Sequence, residues 1–326
     1  MPLDHYIPQV HLRRFYSPDL GDRMYAILKK DPKSFTPNSR AVCAINAGST
    51  NAYLREDRAI EEFLKAIEPN YNAAVDNMLD GKIDDRCIFA IAGFTASVII
   101  CSPAGMRINS APLKSIVETT AAKLDAQGAL PRPPPEVAGT SLTELLRSGK
   151  VKVTIDPKFP QAVGISSILE RTAVLGNFKW EALYNGYISS PFFTSDFPAA
   201  IEETNGARTL NRIVPLAPNL ALRIIPDPTL DRSKVDFSFA NFSCRRSNIK
   251  RHEAVNLNRL IVQCAEEMIF YRDSYPWVLP FIAKNRHYRI EPRTSEHAAP
   301  RGAPLHSTQR IVETIPSAES TKASGT

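Results

Sequence analysis

Four side chains in this sequence have the chemistry of general acids, general bases or metal ligands: His5, Glu61, Glu68 and Asp196. An imidazole titrates near neutral pH, and carboxylates transfer protons or bind divalent cations through oxygen. Glu61 and Glu68 are seven residues apart, so on a helix they lie two turns apart along one edge. These four residues are the candidate catalytic residues, and a divalent metal is an open alternative as a cofactor.

Gln9 and Arg107 are the candidate substrate-binding residues, because an amide and a guanidinium hydrogen-bond to polar or anionic ligands. Each candidate also has a structural interpretation. The carboxylates can pair with arginine, for example Glu68 with Arg107, and such pairs shift pKa values without any function. His5 can be a capping or core histidine, and Asp196 can accept hydrogen bonds within a turn.

Several familiar enzyme motifs are absent from the sequence. It contains no G-x-x-x-x-G-K-[ST], G-x-G-x-x-G, H-E-x-x-H or G-x-S-x-G, which argues against P-loop kinases, Rossmann oxidoreductases, zincins and α/β-hydrolases. The five cysteines include no C-x-x-C pair and no zinc-like spacing with histidine. Reduced thiols, and a start that lacks the features of a secretory signal, predict a cytoplasmic protein.

The net charge of +6 is a weak indication of a polyanionic partner, because half of it comes from the C-terminal segment. Residues 284–326 contain seven Lys and Arg against four Asp and Glu. Nucleic acid therefore stays an open alternative as a partner. Residues 87–101 are apolar throughout but shorter than the roughly 20 residues that a bilayer requires. They predict a buried core helix rather than a membrane segment.

The apolar pattern divides the chain into a helical part and a strand part. Helical periodicity is clear at residues 57–79, 87–101 and 113–125, and a last helix is predicted over 248–270. Strands are predicted at 151–155, 179–184, 187–190, 192–195, 212–215, 221–225 and 235–242, with Asn185-Gly186 as the turn of a hairpin.

This segregation predicts an α+β fold, with a helical N-terminal half packed against a mainly antiparallel sheet in the C-terminal half. We expect a single globular domain over residues 1–288, with its helical part at about 1–130 and its sheet part at about 150–275. Residues 289–326 are rich in Pro, Ser, Thr, Ala and Gly and poor in apolar residues. Such a composition predicts a disordered tail.

Residues 5–15, HYIPQVHLRRF, resemble the N-terminal signature H-Y-[VI]-P-Q-[FY]-Y-L-[RK]-x-F of domain-of-unknown-function family 4238. The resemblance extends over about residues 4–275. Further segments match in chain order: Glu61 and Glu68 in one helix, Arg107, FTSDFP at 193–198, VPLAP at 214–218 and NLN at 256–258.

Three positions depart from that pattern: His11 replaces a tyrosine, Phe197 an asparagine and Ala217 a serine. The family has no established activity, so the resemblance implies positions and no reaction. Two function classes therefore stay open. The first is a binding or interaction module, of a defence or regulatory type. The alternative is a hydrolase acting on nucleic acid or another phosphate-containing substrate.

Overall fold

The structure is a computed structural model that describes residues 3–130, 135–137, 139–204, 209–296 and 305–314. Within these ranges most helices precede residue 177 and most strands follow residue 178. This arrangement confirms the predicted α+β class. The domain boundary at residue 288 stays a prediction.

The described residues form nine α-helices, of which seven end before residue 177. They are α1 (Gln9–Arg13), α2 (Ala59–Asp80), α3 (Asp85–Cys101), α4 (Pro103–Ala126), α5 (Leu142–Arg147), α6 (Lys158–Ser166), α7 (Ile168–Gly176), α8 (Arg251–Cys264) and α9 (Val278–Asn285).

Helix α3 is the centre of the helical layer, because all but three of its 17 residues are buried. Asp84 caps its start by accepting a hydrogen bond from the backbone N–H of Cys87 at 2.8 Å. Its neighbour α2 buries the predicted apolar stripe against it, from Ile60 to Met78, and Pro69 is accommodated inside α2. The two helices approach closely at Gly93, where a Cβ would lie 2.4 Å from the Cδ1 atom of Ile67.

We therefore expect Gly93→Ala to lower the free energy of unfolding by about 2 kcal/mol, since an extra methyl overpacks the contact between α2 and α3. Urea denaturation monitored by circular dichroism measures the change. Gly186→Ala is the matched control, because no atom lies within 4 Å of a Cβ built there. Equal stability of the two variants would contradict this account of the α2–α3 contact.

In the described part of the chain the strands form four small sheets. In chain order they are β1 (Leu3–His5), β2 (Tyr25–Leu28), β3 (Ser34–Phe35), β4 (Ala44–Asn46), β5 (Lys179–Tyr184), β6 (Thr194–Ser195), β7 (Ala200–Glu203), β8 (Leu210–Ala217), β9 (Leu220–Ile225), β10 (Ser243–Asn248), β11 (Met268–Tyr271), β12 (Tyr288–Glu296) and β13 (Leu305–Glu313).

The largest sheet has the strand order β10-β5-β9-β8-β7, and its strands are antiparallel except for the parallel pair β10 and β5. A second sheet has the order β3-β2-β11-β6, which joins strands from both ends of the chain. The pairs β1–β4 and β12–β13 complete the set. Strands distant in sequence thus become neighbours and bring together the polar residues described below.

The predicted hairpin at Asn185-Gly186 is wrong. Strand β5 pairs with β9 and β10, and residues 187–190 form no strand. The Asn185 side chain instead shapes a local turn, because its Oδ1 accepts from the N–H of Tyr187 at 3.0 Å and its Nδ2 donates to the carbonyl of Ser190 at 2.8 Å. Local side-chain hydrogen bonds of this kind compete with strand pairing.

Two other predicted strands are absent, and one predicted helix is shorter than expected. Residues 151–155 and 235–242 are not strands. The helix predicted over 248–270 is divided into α8 and the strand β11, because β11 finds partners in β2 and β6.

The predicted disordered tail is ordered in the parts that the structure describes. Strands β12 and β13 pair along nine residues, from Tyr288 opposite Glu313 to Glu296 opposite Leu305. Residues 297–304 and 315–326 of the predicted tail lie outside the described residues.

Among the described helices, none is by itself long and apolar enough to cross a bilayer. Helices α3 and α4 taken together are long and apolar enough, but they meet at a bend of 63°.

Candidate functional site

His5 and Gln9 lie on either side of the same turn. The Nε2 of His5 donates to the carbonyl of Arg40 at 3.3 Å, and the Oε1 of Gln9 accepts from the hydroxyl of Ser39 at 3.2 Å. Gln9 also accepts from Arg13, one turn further along α1, at 3.3 Å. Both candidates therefore hold the N-terminal segment against residues 39–40.

The cavity beside His5 is too small for a substrate. It encloses about 10 Å³ between the N-terminal segment, α2 and α3, which is close to the smallest space that holds one water molecule. The neighbouring Asp4 is buried and accepts from the N–H of Ser49 at 3.0 Å and from Arg58 at 3.0 Å. The polar groups around this cavity thus pair with one another.

Glu61 and Glu68 share one edge of α2, as their spacing predicts. Arg58 lies 3.6 Å from Glu61 and bridges it to Asp4. Glu68 is half-buried, and its pKa is raised by burial and by the charge of Glu61, against the opposing charge of Arg13. The two carboxylates therefore influence each other electrostatically, while Glu61 also has an arginine partner.

Asp196 follows strand β6 and is buried. Its carboxylate accepts three backbone N–H donations from the start of β11, from Glu266 at 2.9 Å, Glu267 at 2.7 Å and Met268 at 3.0 Å. Burial raises the pKa of Asp196 to about 7, against the lowering effect of these three hydrogen bonds. The side chain thus holds β11 to the end of β6.

Arg107 meets Asp196 at this same turn. Its Nε and Nη2 donate to the two carboxylate oxygens of Glu266 at 2.7 and 2.8 Å, and Glu291 of β12 lies 3.6 Å away. The partner of Arg107 is therefore Glu266, and not the Glu68 considered as a structural alternative. The predicted site residues Asp196 and Arg107 thus meet at Glu266. Asp196 accepts from its backbone N–H, and Arg107 donates to its side-chain carboxylate.

Lys29 completes this buried polar region. Its Nζ donates to the carbonyls of Gln263, Ala265 and Tyr288 at 3.2, 2.7 and 2.6 Å. Burial lowers the pKa of Lys29 to about 8, and the negative charge of Asp196 opposes that shift. All three ammonium donors have acceptors, which is the pattern of a structural lysine.

His11 is a core histidine. It is 0% exposed, hydrogen-bonds with the hydroxyls of Tyr71 and Thr194 at 2.7 and 2.8 Å, and stacks on Phe94. Burial lowers its pKa to about 3, so the ring is neutral. It ties α1 to α2 and β6.

Within the described ranges, no group of three or more His, Cys, Asp or Glu side chains has the geometry to hold a metal ion.

A much larger concave site lies away from every predicted site residue. It encloses about 980 Å³ between α7, strands β8 and β9, the turn at Arg232–Lys234 and strand β13, within the size range of small-molecule sites. Four arginines line it, and we call it the arginine groove: Arg171, Arg212, Arg232 and Arg310.

Arg212 lies in the floor of the arginine groove. It pairs with Ile224 across β8 and β9, so it shares the sheet face of Ile224, opposite the face that carries Arg223. Its guanidinium donates to the carbonyl of Ala199 at 3.3 Å and to the Oε1 of Gln309 at 2.8 Å. Both acceptors are neutral. Burial, together with the charge of Arg171, lowers the pKa of Arg212 to about 10.

Several other partly buried arginines of this chain have carboxylate partners. Arg58 pairs with Asp4, Arg107 with Glu266, and Arg223 with both Glu181 and Glu202. Among the described residues, neither Arg171 nor Arg212 forms an ion pair. A buried charge without a counter-ion is costly, so the arginine groove is electrostatically complementary to an anion.

The sequence contains one indication that Arg212 has an unusual environment, although Arg212 is not among the predicted site residues. In strand β8 it has the same period-two position as Val214 and Leu216, which are buried. A charged residue among inward-facing apolar residues is the informative kind of exception. The sequence gives no such indication that Arg171 lies near this groove, because the position of α7 is set by its packing on helices α3 and α6.

Comparison with known proteins identifies a family but no function. The family model described as protein of unknown function (DUF4238) matches residues 4–275. No curated protein and no solved structure matches the chain significantly. The matched segment includes Arg171, Arg212 and Arg232, whereas Arg310 and the rest of β13 follow it. Because the match covers most of the chain, this protein belongs to the DUF4238 family.

Proposed function

We propose that this protein is a binding module for an anionic, phosphate-bearing ligand, which it takes up in the arginine groove. The observation that carries the proposal is the environment of Arg212, a guanidinium in the groove floor that has only neutral acceptors among the described residues. Guanidinium groups bind phosphate through two parallel hydrogen bonds. A phosphate bound at Arg212 supplies a negative counter-charge, just as Glu181 and Glu202 do for Arg223.

The other groove residues support this proposal. Thr204, Thr209 and Ser307 line the same space, and their hydroxyl groups can donate to phosphate oxygens.

Glu170 and Glu203 also line the groove, but within the described part of the chain neither forms an ion pair with a groove arginine. The arginines therefore stay available to a ligand. The predicted site residues then have a structural role. They fasten the N-terminal segment and β11 to the rest of the fold.

The test is binding of inorganic phosphate to the whole protein, measured by isothermal titration calorimetry and by thermal unfolding. We expect phosphate to raise the melting temperature of the parent, and Arg212→Gln to weaken binding about 10- to 100-fold, since a hydrogen-bonded charged contact contributes about 1.5–3 kcal/mol. Without phosphate, Arg212→Gln should be at least as stable as the parent, because it removes a partly buried charge that has no counter-ion among the described residues.

Arg259→Gln is the matched control, because Arg259 is exposed on α8, outside the groove. We expect it to bind phosphate as the parent does. Loss of binding in both variants would indicate a general charge effect and would contradict a site at Arg212. Unchanged binding by Arg212→Gln would contradict the proposal directly.

A further inference from the structure

The arginines of the groove come from separate elements of the fold, and we call Arg212, Arg171 and Arg232 the arginine row. Arg212 projects from β8, Arg171 from the first turn of α7, and Arg232 from the turn at Arg232–Lys234. The positive charge of Arg171 acts on Arg212, and that of Arg232 acts on Arg171. Neighbouring like charges repel, and one compact anion contacts only part of such a row. The row is therefore better matched by successive linked phosphates.

The remaining residues that line the groove match an organic ligand better than an inorganic polyphosphate. Val174, Leu210 and Pro226 offer apolar surface, which an organic body would cover. Glu170 and Glu203 add acceptors that repel a ligand made only of phosphate. A ligand that fits all of these groups has hydroxyl or amino donors on its organic part.

Nucleic acid is the poorer match to this space. Phe178 is the one aromatic residue among the described lining residues, and it is only 6% exposed. Proteins that bind single strands stack successive bases on exposed aromatic side chains. The groove volume of about 980 Å³ is instead typical of sites for small molecules.

Resting on the proposed function above, we infer that the ligand is a small diphosphate ester of the nucleoside diphosphate class. Its two linked phosphates contact Arg212 and Arg171, and its donor-bearing body lies against the apolar and acidic part of the groove. Arg232, at the rim, extends the row for a further phosphate.

The experiment compares four probes on the whole protein by isothermal titration calorimetry: orthophosphate, pyrophosphate, ADP and a single-stranded oligonucleotide. We expect pyrophosphate to bind at least about tenfold more tightly than orthophosphate, since a second charged contact contributes about that factor. ADP should bind more tightly still. Arg171→Gln should weaken pyrophosphate binding about 10- to 100-fold while changing orthophosphate binding much less. Arg259→Gln should leave all affinities unchanged.

The outcomes separate this inference from the proposed function. If orthophosphate and pyrophosphate bind equally and Arg212→Gln abolishes both, the linked-phosphate inference is overturned and anion binding stands. If the oligonucleotide binds more tightly than ADP and depends on Arg171 and Arg212, the ligand class is nucleic acid and the inference is again overturned. If none of the four probes binds, both proposals fail.

Discussion

Replacing Asp196 with alanine is expected to lower the free energy of unfolding by about 4 kcal/mol. The substitution leaves three partly buried backbone N–H groups, those of Glu266, Glu267 and Met268, without their acceptor, and each unsatisfied buried group costs about 1–3 kcal/mol. It also removes the negative charge that acts on the buried Lys29. Urea denaturation of the purified protein measures the change. Asp196→Asn should be intermediate, because one side-chain oxygen still accepts.

His5→Ala is the matched control among the predicted site residues. The His5 side chain makes one hydrogen bond, 3.3 Å long and exposed to solvent, so we expect a loss of less than about 1 kcal/mol. If Asp196→Ala instead proves as stable as the parent, a structural role for Asp196 is excluded. Its predicted catalytic role would then become the better interpretation.

Stability should depend on pH through Glu181, which lies on the sheet face opposite Arg212. Burial raises the pKa of Glu181, but hydrogen bonds from Ser247, Arg245 and Arg223 outweigh it and lower the pKa to about 2. Because the folded pKa is depressed below the ordinary value of 4.5, the stabilisation is fully present above pH 4.5. It is lost as pH falls towards 2.

At pH 7 we expect Glu181→Gln to lower the free energy of unfolding by about 3 kcal/mol, the equivalent of this depression of the pKa. The difference between parent and variant should shrink as pH falls from about 4.5 to 2. Urea unfolding at several pH values measures it. Glu62→Gln is the control, since Glu62 is 73% exposed and pairs only with the exposed Lys65. A difference that stays constant with pH would show that Glu181 titrates normally in the folded protein.

Helix positions and the α+β class could be predicted because they depend on local pattern. The stripe from Ile60 to Met78 specifies the buried face of α2, and the apolar composition of α3 specifies a helix buried on nearly all sides. The strand at residues 235–242 was predicted on the same grounds and is absent. Strand formation needs a partner, and β5 pairs instead with β9 and with β10, the segment that follows residues 235–242.

The C-terminal segment is a second case in which the local sequence did not predict the structure. Its composition has too little apolar surface to predict order, yet β12 and β13 pair with each other and contact the rest of the fold. Lys29 donates to the carbonyl of Tyr288, Arg107 lies beside Glu291, and Arg212 donates to Gln309. These contacts come from residues more than 90 positions away in sequence, so composition within the segment cannot reveal them.

The sequence by itself determined the α+β class, the two central helices and, through its N-terminal block, the family. Tertiary structure alone decided what the charged residues do. Asp196 became the acceptor for the start of β11, and Arg107 became the partner of Glu266. Arg212 and Arg171 met in a groove in which neither forms an ion pair with a described residue. The physical reason is that the energy of a charge depends on burial and on its nearest partners. Both are set by chain packing and not by neighbours in sequence.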